Sequence, residues 1–226
     1  MTSQRKLFQA LLSLEYENKI INMNARLETF CDGVFAIAIT LLILEIKVPP
    51  LDSVHSVADL WRDVGRLWPS FFALSLSFII ILIGWIGHHN LLKVIDKTSS
   101  KFQLANGFFL FTIILMPFFT AFMAEYLNTP YAQPAIVCYC LNTLLHNTGW
   151  VVLHRSILKP KPLTKDALGT ELIKKASRSA EYGLFIYAAI AILAWWLPYV
   201  ALVISVSTWI YWLYLSLSIK HPGLNK

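Results

Sequence analysis

Chemistry-bearing side chains are few in this sequence, and the first of them sits where it is costly. The stretch Arg26–Val48, RLETFCDGVFAIAITLLILEIKV, opens on a cation, carries Asp32, and then runs Gly33–Leu44 without a charge. A carboxylate inside an apolar segment of membrane-spanning length costs about 2.5–3.5 kcal/mol on insertion scales, so it points to function by default. An ion ligand, a proton relay and the anchor of a buried hydrogen-bond network are the chemistries open to it. A second group lies at Trp85, His88 and His89. Trp85 precedes the histidines by three and four residues, so the indole and at least one imidazole share a helix face. The indole N–H only donates and an imidazole can do either, so both suit an acidic partner. Asn106 is a further donor. The histidines also fit as interfacial residues at a helix end. A metal or haem needs several converging ligands, and no Cys/His spacing supplies them around Cys31, Cys138 and Cys140.

Projected at about 100° per residue, Leu27, Cys31, Val34 and Ala38 fall within about 60° of one another, whereas Asp32 lies about 140° from Leu27. Both cannot face one narrow lumen. Either the stripe lines a pore and Asp32 turns into the helix bundle, where it needs donors, or Asp32 faces the pore and the stripe is packing. The residues alone leave this open.

The elements that must position these groups are membrane helices. The 226 residues are 57% hydrophobic and 14% charged, with mean hydropathy +0.58, against about 25% charged residues in a soluble domain. Apolar runs predict six spans at about 27–48, 67–92, 102–123, 134–153, 180–197 and 199–219, since a spanning segment satisfies its backbone hydrogen bonds internally. The chain reads as a single six-helix domain, 1–226, with no repeat at the scale of three helices. Residues 1–25 suggest a short amphipathic helix at the membrane surface, with no cleaved signal peptide, and 154–178 a basic linker. Sixteen of the 19 Lys and Arg fall before the first span, between the second and third, between the fourth and fifth, or after the sixth. The positive-inside rule therefore predicts a multi-pass protein of the cell inner (plasma) membrane with both termini cytoplasmic. The basic charge speaks to orientation and lipid, not to nucleic acid. No carbonyl filter loop, arginine repeat, P-loop or Ser/His/Asp arrangement is present in the sequence, so neither a conventional potassium channel, a voltage sensor nor an enzyme is indicated.

The run Arg26-x-x-x-Phe30-Cys31-Asp32-Gly33-Val34-Phe35-Ala36-Ile37-Ala38-Ile39-Thr40-Leu41-Leu42 closely resembles the signature of the transmembrane protein 175 family. Trp85-x-x-His88-His89, Asn106 with the apolar run to Met116-Pro117-Phe118, and Glu125-Tyr126 agree with it. The resemblance implies an all-α membrane fold with six transmembrane helices per subunit and a homotetramer whose pore is lined by the first helix. It implies permeation of K+ and other monovalent cations, with no bound cofactor, past a hydrophobic constriction rather than a carbonyl filter. By position the constriction falls on Leu27, with Cys31 and Val34 as further layers. Arg26, Phe30, Asp32, Trp85, His88 or His89, and Asn106 then form the motif and its supporting network. This reading turns Asp32 into the bundle. The family's Ser or Thr is Cys31 here, and a thiol below the ring replaces lost water poorly, so weaker potassium selectivity is expected, restored by Cys31→Ser. The alternative is a proton channel or proton-coupled transporter using Asp32 and His88/His89.

Overall fold

A computed structural model of the chain describes residues 24–218 and is helical nearly throughout. The expected amphipathic segment at the N-terminus and the last residues of the chain lie outside the described residues. Helix α1 runs Asn24–Glu45, tightening into a 3-10 turn over Leu42–Glu45 before Ile46 turns extended and Pro49-Pro50 follow. Helix α2, Val57–Arg66, is capped by Ser56, whose Oγ accepts from Asp59 N at 3.1 Å. Leu67 alone separates it from α3, Trp68–Lys93, which opens with Pro69 in its first turn.

Ser99 caps α4, Ser100–Ile114, and Leu115 separates it from α5, Met116–Tyr126. Pro117 causes the break, because its ring removes one helical hydrogen bond and crowds the preceding turn. The expected third span is therefore two helices laid end to end. Helices α6 (Ala132–Leu158), α7 (Ala167–Ala194) and α8 (Pro198–Ser218) complete the chain. Here the structure corrects the expected basic linker. Helix α6 continues to Leu158 and α7 starts at Ala167, where Asp166 Oδ1 accepts from Gly169 N at 2.6 Å. Most of 154–178 is thus helical, with Arg155 and Lys174 held in ion pairs to Glu181 and Glu171.

Among the described residues, α1, α2–α3, α4–α5 and α6 are long and apolar enough to cross a membrane. The described apolar stretch of α8, Pro198–Tyr214, is shorter. Helix α6 is the centre of the bundle, meeting α4, α5, α7 and α8. Of its most apolar stretch 61% is buried, against 22% for α1. Lipid tails are as apolar as leucine, so close packing and interhelical hydrogen bonds hold such a bundle, not expulsion of water. Gly149 lets α6 close on Phe109 of α4, and Gly183 lets α7 close on Asn147, whose Nδ2 donates to Ala180 O at 2.8 Å. A Cβ at Gly183 would stand 2.7 Å from Asn147 Oδ1. Asn147 cannot yield without losing its bond, so Gly183→Ala should destabilise the fold by about 1–3 kcal/mol. Thermal unfolding in detergent measures this, and an unchanged midpoint would mean that the helices slide apart freely.

One end of the bundle is laced together by backbone. Ile95 and Thr164 form an antiparallel bridge between the α3–α4 and α6–α7 connections, with Lys165 N donating to Val94 O at 3.0 Å. Asn24 Nδ2 donates to Asp96 O at 3.1 Å, bringing the start of α1 to the same end. Three of the four basic segments singled out in the sequence contribute to this end.

Candidate functional site: a polar network behind the first helix

Helices α1 and α3 carry their polar groups in matching register. Glu28 and Asp32 are four residues apart on α1, as are Trp85 and His89 on α3, and such pairs share a helix face. Trp85 Nε1 donates to Asp32 Oδ1 at 2.8 Å. His89 Nδ1 lies 3.0 Å from Glu28 Oε1, and the Trp85 and His89 rings stack at 5.9 Å between centroids. These four side chains form a partly exposed outer layer.

A second layer lies beneath, fully enclosed. Asn106 of α4 reaches both other helices: its Oδ1 is 2.7 Å from His88 Nε2 and its Nδ2 donates to Cys31 Sγ at 3.2 Å. With the Asn106 oxygen as acceptor, His88 holds its proton on Nε2 and donates it. The His88 ring lies parallel to Phe109 at 5.6 Å and tilted against Phe35 at the same distance. Phe35 enters the space that Gly84 leaves open on α3, where an added Cβ would lie 3.5 Å from the Phe35 ring. Unpaired, these polar groups would each carry a desolvation cost in an apolar interior, so the layer fixes the position of α1 along α3 and α4.

Asp32, Trp85, His88, His89 and Asn106 are thus brought together in two layers. Both histidines take part, His88 in the buried layer and His89 in the outer one. Among the described residues no hydrogen bond or ion pair joins Arg26 to either layer. Phe30 is 62% exposed on the opposite side of α1 and is not part of the network.

The candidate constriction residues require a correction. Cys31 and Ala38 are buried inside the subunit, and Leu27 and Val34 pack half-buried against the same core. The Leu27–Cys31–Val34 stripe is the packing face of α1, and a buried thiol cannot stand in for water around an ion. The expectation that Cys31→Ser raises potassium selectivity by facing the ion falls with it. The exposed face of α1 carries Phe30, Gly33, Ile37, Leu41 and Leu44, within about 80° on the helical projection. Glu28, Gly84 and Phe109 were not singled out in the sequence, and Phe35 entered only as part of the signature run. The four-residue spacing of Glu28 and Asp32, matched by that of Trp85 and His89, was the available signal for Glu28. Among the described residues no group of three His, Cys, Asp or Glu could hold a metal ion.

A crystal structure of a lysosomal potassium-selective channel TMEM175 homolog from Chamaesiphon minutus superposes with a TM-score of 0.75 at 31% identity, covering 86% of this chain and 98% of that one. The chain belongs to the TMEM175 family. The family described as endosomal/lysosomal potassium channel TMEM175 matches residues 26–117. That segment starts at the motif arginine and ends at the α4–α5 break, and so holds every member of the two polar layers. A potassium channel of C. minutus is 46% identical over 114 residues, covering 50% of this chain and 56% of that protein. One of Streptomyces collinus is 42% identical over 108 residues, covering 48% and 51%. The matched stretches therefore span about half the length of these curated relatives.

Proposed function

We propose that the chain is the subunit of a potassium-permeable channel, a homotetramer in which four copies of α1 surround the ion path. The observation that carries this reading is the exposed apolar face of α1, on the helix with the family signature, in a fold matched along its length by a potassium-selective relative. The polar layers occupy the other side of α1 and anchor it to α3 and α4, leaving Phe30, Ile37, Leu41 and Leu44 for the lumen. Rings of such side chains hold no ion. They gate by dewetting and make a passing cation shed part of its water. Potassium holds its water less tightly than sodium and passes more readily. Both termini face the cytoplasm in this reading, with the laced end of the bundle on the inner side.

Reconstitution of the purified protein in liposomes tests the proposal. The reversal potential should follow the potassium gradient, and the particle should have the mass of four subunits. A potential that follows the proton gradient, or a monomeric particle, would overturn it. The approach of His89 to Glu28 favours a second reading, proton passage along the outer layer. Asp32→Asn separates the two. Asparagine keeps an oxygen for the Trp85 N–H but cannot carry a proton as a carboxylate does. The channel reading expects potassium flux within about twofold of the parent for Asp32→Asn, with loss of assembly for Asp32→Leu, whereas a proton relay expects flux to vanish in both.

A further inference from the structure

Helix α2 buries none of its residues in the subunit, although it is sharply two-sided. Val57, Leu60, Trp61 and Val64 recur at helical spacing on one side and are all exposed, Trp61 to 72%. Its charges lie on the other side and pair with each other, Arg62 with Asp59 and Arg66 with Asp63, both at 3.0 Å. Leu67 keeps right-handed helical dihedrals, so α2 and α3 run on as one stretch of 37 residues, Val57–Lys93. The apolar side continues in phase across the join. From Val64 it passes to Trp68, Phe71, Ser75 and Phe78 in steps of four and three, and between Trp68 and Trp85 every exposed position of α3 falls on this line. Its inner end is Trp85 and His89, which hold Asp32 and Glu28 of α1.

We propose that the outer part of this line, from Val57 to Trp68, is where a second copy of the chain docks, an inference that rests on the four-copy reading above. Acyl chains do not reach it. Helix α3 alone has 26 residues and is about 39 Å long, more than the roughly 30 Å of a hydrocarbon core, so α2 starts where the acyl chains have ended. Headgroups do not hold it either. Helices that lie on a lipid surface carry surplus Lys and Arg on the polar face, and here two aspartates cancel two arginines. Left in water, two tryptophans and three aliphatic side chains make a contiguous apolar patch of the kind that marks a protein contact. The neighbouring copy is the protein that always stands close by, because α3 is fixed to α1 and α1 surrounds the axis in that reading.

The test is photocrosslinking of the purified full chain in liposomes, with p-benzoylphenylalanine in place of Trp61 or, as a control on the exposed face of α7, of Phe185. Only lipid, water and further copies are then within reach of the probe. Position 61 should give covalent subunit pairs on a denaturing gel at least about tenfold more often than position 185. Lipid adducts without pairs at 61 would place α2 on the bilayer and overturn the inference, and equal pairing from 185 would reduce the pairs to chance collision. Particle mass separates the two readings. Four subunits with no pairs from 61 would sink this contact and leave the tetramer standing, whereas a single subunit would sink both. A second variant, Trp61→Ser/Val64→Ser, removes side chains that the subunit's own fold does not bury. Its thermal unfolding as a subunit should match the parent, while its four-subunit particle should fall apart at a protein concentration at least about tenfold higher, as expected for an interface anchored by tryptophan. Unchanged association would overturn the proposal.

Discussion

An Asn106→Leu variant should be less stable than the parent by about 1–3 kcal/mol, and less stable than the double variant His88→Leu/Asn106→Leu. The reasoning turns on what the single change strands. Asn106 Oδ1 is 2.7 Å from the His88 Nε2 that donates to it, and both side chains are buried. Leucine at 106 leaves the imidazole N–H facing Phe35 and Phe109 with no acceptor. A stranded donor in a closed apolar site carries its full desolvation cost, about 1–3 kcal/mol. That exceeds the average of about 0.6 kcal/mol measured for hydrogen bonds between membrane helices. Replacing both partners by apolar groups removes the orphan together with its cost. Thermal unfolding of the three proteins in one detergent reads the difference. A double variant worse than Asn106→Leu would show that His88 contributes by packing against Phe109, not through its proton.

The network was easier to read in the sequence than the direction each face of α1 takes. Projection separates Asp32 from the Leu27–Cys31 stripe without any structure, because helical geometry alone sets that angle. Which side turns inward is another matter. Helix α1 is apolar nearly all round, and lumen, lipid and bundle core all accept leucine and isoleucine, so no polar face marks the outside. The orientation is decided by the matching register of Glu28 and Asp32 with Trp85 and His89, a relation between two helices that neither shows by itself. The same limit applied to α7. Its charges at 171–178 read as a linker, yet Ile173 and Ser177 are buried on one side while Lys174, Lys175 and Arg178 stay exposed. A helix that leaves the membrane keeps its period while changing its composition. The elements fixed by a single residue were legible: the end of the first span before Pro49-Pro50 and the start of α8 at Pro198.

The largest functional effect is expected at Ile37. If four copies of α1 enclose the ion path, the side chains that meet at its axis come from the face each subunit leaves open. Ile37, 61% exposed, lies midway along it between Phe30 and Leu44. Each substitution there acts four times around the axis. Ile37→Trp should fill the lumen and lower potassium flux by more than about tenfold, which corresponds to a rise of only about 1.4 kcal/mol in the barrier. Ile37→Ser should act the other way, since a ring of hydroxyls stays wet and lets an ion keep more of its water. Sodium, which loses most by dehydration, should then gain on potassium by several-fold in the permeability ratio. Leu27 supplies the contrast, because it packs half-buried against the subunit core. Leu27→Trp should overpack that core and cost about 1–3 kcal/mol of stability while leaving the selectivity of the assembled protein unchanged. Block by Leu27→Trp in a protein of normal stability, with Ile37→Trp still conducting, would mean that α1 rotates in the assembly and presents the face that is buried in the isolated subunit.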